Sequence, residues 1–418
     1  NRIGWSVKAA RIVTDEAEQV IYFEQPSLQL LGVSVISLPW LTLPQDEGVE
    51  FPVLSYNDQY GVALSLPFFR YRVANGTLAV TPIAYFNQGP GVSVDWRQTV
   101  GDLSYSVSAS GVYQFNPGAY SGLANRNVRG AVQTSGTFTP TAAWTLGWSY
   151  TAFTDPGYLP DYDIDSGTAR NQVYAQYLDA DTYADIRVQQ LVPLDNQPSQ
   201  AVFEARQNEQ ALTHPNAVAD HIIDLENGAG RVELSSRLLG LTRALDDTSD
   251  GFVHGYEGQS VHAMMQASWS NQYVVPGGLL VSPYLGMRGD AASYDGASSL
   301  AGAPAAQSLF SATPIAALDI RYPLLARTFG AAHVIEPIAQ LVYRDGEAVP
   351  GITNNDSQGF VFDDTNLFSF NRFSGADRQE TGLRANVATY RVSSFRPRAK
   401  LMATKSPAIT CSSRARRR

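Results

Sequence analysis

The chain has 418 residues, of which 44% are hydrophobic, 11% aromatic and only 17% charged. A charged share below the roughly 25% of soluble globular chains, with aromatics this frequent, excludes a disordered chain and speaks against a compact charged cytosolic enzyme. The net charge of −9 argues against nucleic acid as a partner, and one cysteine excludes an intrachain disulfide or a cysteine zinc cluster.

No basic start followed by an apolar run opens the chain, so no secretory leader is expected within it; Asn1 in place of Met fits a mature product or a fragment. Trp5, Val7 and Ala9 alternate, then Val20-Ile21-Tyr22-Phe23, then Leu28 and Leu30 before Gly32-Val33. These are short strands with an irregular face. Pro39 and Pro44 end the region, because proline cannot donate to a ladder. The pattern predicts the end of a small β-domain over 1–44, a linker over 45–58, and a much longer β-region over 59–395.

In that region the hydrophobic period is two. Val92, Val94 and Trp96 alternate with Ser93, Asp95 and Arg97. Leu103, Tyr105, Val107 and Ala109 alternate with serines, and Trp144, Leu146, Trp148, Tyr150 and Ala152 repeat the pattern. Val281-Pro283-Leu285 and Ile335-Pro337-Ala339 are weaker examples. Turn signals punctuate the runs at Ala74-Asn75-Gly76, Gln88-Gly89-Pro90-Gly91, Asn116-Pro117-Gly118, Pro276-Gly277-Gly278 and Arg344-Asp345-Gly346. The polar stretches 154–170, 194–220, 246–258 and 345–380 are too long for tight turns.

Tight turns alternating with long polar loops, strands of about 9–11 residues and aromatics near strand ends predict an all-β, antiparallel outer-membrane β-barrel. About 15–16 strands are expected from Gly61 to Tyr390. A propeller or tandem sandwiches share the period, but no repeat of about 40–50 residues supports a propeller. Pro67 and Pro82 fall in the first two strands of this region, where each removes a ladder hydrogen bond or marks a strand end.

The five histidines show no metal-protease spacing, and no Ser elbow is present. Asp161-Tyr162-Asp163-Ile164-Asp165 lacks the glycine and terminal glutamate of a calcium loop. No enzymatic activity, cofactor or metal is therefore expected; a barrel hydrolase with scattered Ser and His is the weaker alternative. Residues 396–418 carry eight Lys/Arg and no acid, against 22 basic and 39 acidic residues before them. That change of composition reads as foreign sequence, such as a frameshifted end, or else as a basic arm.

Several segments resemble the outer-membrane lipopolysaccharide-assembly family LptD, the organic-solvent-tolerance family. Gly4-Trp5-Ser6-Val7-Lys8-Ala9, Gly32-Val33 and Leu38-Pro39-Trp40-Leu41 are similar to its junction of periplasmic domain and barrel. Phe51-Pro52, Tyr60-Gly61 and Leu66-Pro67-Phe68-Phe69 resemble its first barrel strand, and Asp155 with Tyr158-Leu159 a recurrent loop. The densest run is Arg321-Tyr322-Pro323, Glu336-Pro337-Ile338-Ala339-Gln340, Asn355-Asp356-Ser357, Phe362-Asp363-Asp364-Thr365-Asn366-Leu367-Phe368 and Asn371-Arg372-Phe373-Ser374-Gly375 to Glu380.

The resemblance implies the last rungs of a periplasmic β-jellyroll followed by part of a barrel in the Gram-negative cell outer membrane. It implies lipopolysaccharide as cargo, a periplasmic lipopolysaccharide-bridge protein as donor, and an LptE-type plug lipoprotein as partner. It puts strand-weakening prolines, here Pro67 and Pro82, at a lateral gate. In the jellyroll rungs, Val20, Tyr22, Leu28 and Leu30 line an acyl-chain groove or form plain sandwich core. Asp364, Arg372, Asp377 and Arg378 pair with one another or meet phosphate-rich lipid. The family's further strands and interdomain disulfides are missing from this sequence. A passive porin-like channel is the alternative function; a soluble all-β interaction protein is the third.

Overall fold

The computed structural model describes residues 5–15, 20–30, 32–37, 39–44, 52–67, 69–248, 251–296, 298–328, 331–346, 354–357 and 366–395. The basic tail, Asp363-Asp364 and the first half of the expected linker (45–51) lie outside the described residues. No helix among them is long and apolar enough to cross a membrane.

Six short strands open the chain: Trp5–Lys8 (β1), Arg11–Asp15 (β2), Val20–Glu24 (β3), Ser27–Leu30 (β4), Val33–Ser37 (β5) and Trp40–Pro44 (β6). They form two three-stranded antiparallel sheets, β1-β4-β5 and β2-β3-β6. Inside the segment expected to be linker, Val53–Asn57 forms β7 and pairs with Gly61–Ser65 (β8). Phe69–Val73 (β9) follows.

Then come the long strands: Gly76–Tyr85 (β10), Gly89–Val100 (β11), Leu103–Tyr113 (β12), Val128–Phe138 (β13), Trp144–Phe153 (β14), Gly167–Leu178 (β15), Thr182–Leu194 (β16), Leu212–Asp224 (β17), Arg231–Arg243 (β18) and Gly258–Ser270 (β19). After them run Tyr273–Val275 (β20), Leu279–Asp295 (β21), Gln307–Arg321 (β22), Leu324–Thr328 (β23), Ala331–Arg344 (β24) and Gly382–Phe395 (β25). Two helices, Tyr158–Asp161 (α1) and Gln200–Glu209 (α2), sit in connections.

The ladders are antiparallel. β8 and β9 both pair with β10, β19 and β20 both with β21, and β22 and β23 both with β24. Each of these couples is one strand interrupted by two or three residues. Counted so, the described residues hold 15 strands from Gly61 onward, within the expected range. The first connections (74–75, 86–88, 101–102) are all tight; from β12 onward long ones (114–127, 154–166, 195–211, 244–257, 296–306, 345–381) alternate with shorter ones (139–143, 179–181, 225–230, 276–278).

The chain divides into two compact units: residues 1–175 with 189–210, and residues 176–188 with 211–418. In the first, register sorts side chains onto two faces. Asp95 lies opposite Ser108, which lies opposite Gln133. Trp96 lies opposite Val107, which lies opposite Thr134, which lies opposite Tyr150. On the apolar face Trp148 lies across Gly136, whose missing Cβ leaves room for the ring. On the polar face Asp95 accepts from Ser93 (3.1 Å) and Ser108 (2.6 Å).

The second unit repeats the division. Met265 (73% exposed), Phe310 (84%) and Leu383 (70%) share its open face with Leu285, Met287 and Val387. Water would penalise so continuous an apolar surface; lipid tails would not.

Candidate functional site

Three features draw together residues that the sequence keeps apart. The first is the interruption between β8 and β9. β10 lies in register with β8 through Ala63–Ser65 and with β9 through Phe69–Val73, leaving Thr81 and Pro82 opposite the gap. Leu66 donates its N–H to the Pro82 carbonyl at 3.0 Å. In a strand, N–H and C=O of one residue point the same way, so the missing Pro82 N–H is the one that would return this bond. Pro82 thus lies within β10, as expected, whereas Pro67 occupies the gap itself. β7 stops at Val53 opposite Ser65, so it runs beside β8 and not along β9.

The same device recurs in the second unit. Asn271, between β19 and β20, donates to the Pro283 carbonyl (3.3 Å); Tyr322, between β22 and β23, donates to that of Pro337 (3.1 Å). At each of these three prolines the chain on one side gives up regular pairing, while the strand on the other side keeps its register. Period-two reading found these prolines but not their matched gaps, because register is a long-range property.

The second feature is a buried polar cap built from long connections of the first unit. Arg129, at the start of β13, has a fully buried side chain. It bonds both Asp155 oxygens at 2.7 and 3.0 Å and Asp161 at 2.7 Å. Its guanidinium lies 4.7 Å from the Tyr120 ring centroid and under 6 Å from those of Tyr158 and Tyr162. Tyr162 stacks on Tyr60 at 5.9 Å, meets Tyr85 edge-on at 4.8 Å and accepts from Gln114 (2.8 Å). The Tyr60 hydroxyl donates to Asp163 at 2.8 Å.

Burial pushes the Tyr158 hydroxyl up to about 12 and raises those of Tyr120 and Tyr162 as well, so all three stay neutral. Burial also raises the Asp161 carboxyl, although Arg129 pulls it back.

The 195–198 segment ties in through Gln197, whose carbonyl accepts from Leu123 N–H (2.8 Å). Gly122 makes that approach possible. Its φ is +59°, and a Cβ there would lie 2.2 Å from the Gln197 oxygen. Gly122→Ala is expected to cost about 2–3 kcal/mol through backbone strain and clash. The urea midpoint of the purified protein measures this, and an unshifted midpoint would contradict the packing described.

The third feature lies in the second unit, where residues 354–357 and 366–381 cover the polar face of β19, β21, β24 and β25. His262 stands between two carboxylates, with Nε2 2.8 Å from Asp290 and Nδ1 2.7 Å from Asp377. Arg288 bonds both Asp290 oxygens and the Ala376 carbonyl (2.6 Å). Asp377 also accepts from the N–H of Asn355 (2.7 Å) and Asp356 (3.2 Å). Burial would raise the Asp377 carboxyl, but the bonds from His262 and the two backbone N–H groups outweigh it and hold it below the usual range. Arg372 pairs with Glu380 and Asp377 with His262, partners outside the set Asp364, Arg372, Asp377 and Arg378 that was expected to network.

Of the groove residues, Val20 and Tyr22 lie on β3 in one sheet, Leu28 and Leu30 on β4 in the other. Tyr22 is 38% exposed; the side chains of Val20, Leu28 and Leu30 lie outside the described residues. Sequence reasoning missed Arg129 and His262. The only signal was Asp155 with Tyr158-Leu159, which marks the loop but not its arginine.

A family model described as "LptD: LPS transport system D" matches residues 127–409. The chain is 29% identical over 97 residues to the "LPS-assembly protein LptD" of Vibrio vulnificus strain YJ016, and equally to that of strain CMCP6. These alignments cover 22% of this chain and 12% of each relative, so the match spans about an eighth of the relatives' own length. With the family match running from the root of β13 to beyond β25, more than half of its length, the chain belongs to the LptD family.

Proposed function

We propose that this chain is part of an outer-membrane protein that moves lipopolysaccharide from the periplasm to the outer leaflet. It is not an enzyme in this reading and uses no cofactor. The sheets over 1–44 are the periplasmic end, taking lipid from a bridge protein. The groove set Val20, Tyr22, Leu28 and Leu30 then meets acyl chains between the two sheets. The long strands lie in the membrane with their apolar faces toward lipid, and an LptE-type lipoprotein acts as the plug. Family membership carries this reading. The packed polar connections of each unit favour it over an open passive channel.

The lateral exit is the β8/β9–β10 pairing. A proline-opposed gap lowers the cost of parting those strands by about 1–3 kcal/mol, since the ladder bond that Pro82 would donate is absent and pairing is interrupted there. In a full-length protein, Pro67→Ala with Pro82→Ala is expected to slow export several-fold. Pulse-labelled lipopolysaccharide appearing at the surface measures it. Unchanged export with unchanged detergent resistance would remove the gate from these residues.

A further inference from the structure

Several cations on the polar face of the second unit come with a carboxylate. Arg288 bonds both Asp290 oxygens, and Arg321 pairs with Asp319. Glu380 accepts from both Arg372 and Arg384. Arg344, the last residue of β24, differs. It is 4% exposed, and its bond goes to a neutral group, the side-chain oxygen of Gln379. Its Nε has no hydrogen-bond partner among the described residues. Neither has the Nε2 of Gln379, a residue that is also 4% exposed.

Arg384 adds a third donor. Register sets Arg344 opposite Gly382 and Val342 opposite Arg384, so the two arginines lie diagonally on one face, their Cα atoms about 7–8 Å apart. Arg384 bonds Glu380 and the Ser369 carbonyl, while its buried Nε finds no partner among the described residues. Nothing lies within 4 Å of where a Cβ on Gly382 would stand, so the rung has room beside the guanidinium. Arg288 and Arg384 both repel the charge on Arg344, and Glu380, which attracts it, is bonded to two other arginines. A guanidinium does not shed its proton, so burial here leaves a permanent positive charge with donors aimed at no acceptor.

We propose that Arg344 and Gln379, with Arg384 beside them, bind one halide ion, chloride in ordinary media. Arg344 and Gln379 stand at opposite ends of the 345–381 connection, so the ion staples the base of that connection to β24. A halide fits better than an oxyanion. It carries the single charge that Arg344 lacks, and a sphere accepts donors from any direction. Phosphate or sulfate would bring further oxygens into an enclosed place, where each one left unpaired is costly. The assignment is independent of what the protein carries.

The test uses the purified chain in detergent, in phosphate-free buffer at constant ionic strength, with chloride exchanged for gluconate, which is too large to enter. Amide exchange over 376–381 is expected to rise about tenfold without chloride, as for an ion present at about ten times its dissociation constant. Bromide should restore the protection. Arg344→Met removes the buried charge, so its exchange should be the same in chloride and gluconate within about twofold. Crystals grown in bromide give a readout that needs no variant, an anomalous peak beside Arg344 Nε and Gln379 Nε2. Equal exchange of the wild type in both buffers, or no such peak, would overturn the site. Protection restored by inorganic phosphate but not by bromide would overturn the halide assignment in favour of an oxyanion. An equal response of Arg344→Met would show a general salt effect and overturn the proposal as well.

Discussion

Replacing Arg129 with methionine is expected to destabilise the first unit by about 3–5 kcal/mol, the usual penalty for removing one partner of a buried ion pair. The side chain touches two carboxylates and three tyrosine rings. Methionine fills much of the same volume, so the loss is mainly electrostatic: Asp155 and Asp161 stay buried without their cation. Two observations check this. The urea midpoint should fall, and chymotrypsin should gain access to Tyr120, Tyr158 and Tyr162, which are 5%, 2% and 5% exposed when the cap is intact. Adding Asp155→Asn and Asp161→Asn should restore part of the midpoint, because the orphaned charges are then gone. An Arg129→Met protein with an unchanged midpoint and closed loops would show that tyrosine packing alone holds the cap.

The second large effect concerns acid. The Asp377 carboxyl is held below its ordinary value in the folded protein. A depressed carboxyl contributes stability that is fully present above the unfolded value of about 3.9 and lost as pH falls through the folded value. The segment over 354–381 should therefore stay docked from pH 7 to about 5 and loosen below about pH 4. Pepsin, active in that range, should then cut near Leu367, Phe368 and Phe370. Asp377→Asn should loosen it already at neutral pH. Each bond to the ionised group is worth about 1.5–3 kcal/mol, and the amide accepts on one oxygen only. Amide exchange in Asn355–Ser357 should rise about a hundredfold, corresponding to a loss of about 3 kcal/mol. Equal exchange in variant and wild type at pH 7 would mean that Arg288 and the backbone hold the segment without Asp377.

Local period and turn chemistry made much of the fold legible. Serine alternating with Leu103, Tyr105, Val107 and Ala109 located β12, and the Trp144–Ala152 pattern located β14, because successive side chains of a strand fall on opposite faces. Long polar stretches marked four of the long connections. The connections at 114–127 and 296–306 escaped, since their glycine, proline and alanine content resembles tight turns.

The sites were less legible. Arg129 reaches partners 26 and 32 residues away, and His262 meets Asp377 at a separation of 115. Nothing local distinguishes those side chains from other charges. Pro67 shows the same limit from another side. Its presence predicted a lost ladder bond, but only register revealed that the strand stops there, opposite a second proline.

The proline-opposed gaps have a consequence for assembly. Strands that alternate serine with small apolar residues tolerate a slip of two positions, because every side chain keeps its face. Pro82, Pro283 and Pro337 make such a slip costly. Each would move from an interrupted stretch to one that demands an N–H it lacks, while the gap would fall against residues whose N–H and C=O then go unpaired. The three gaps thus act as keys cut into the ladder, and they specify which neighbour and which register each hairpin accepts as the sheet zips together.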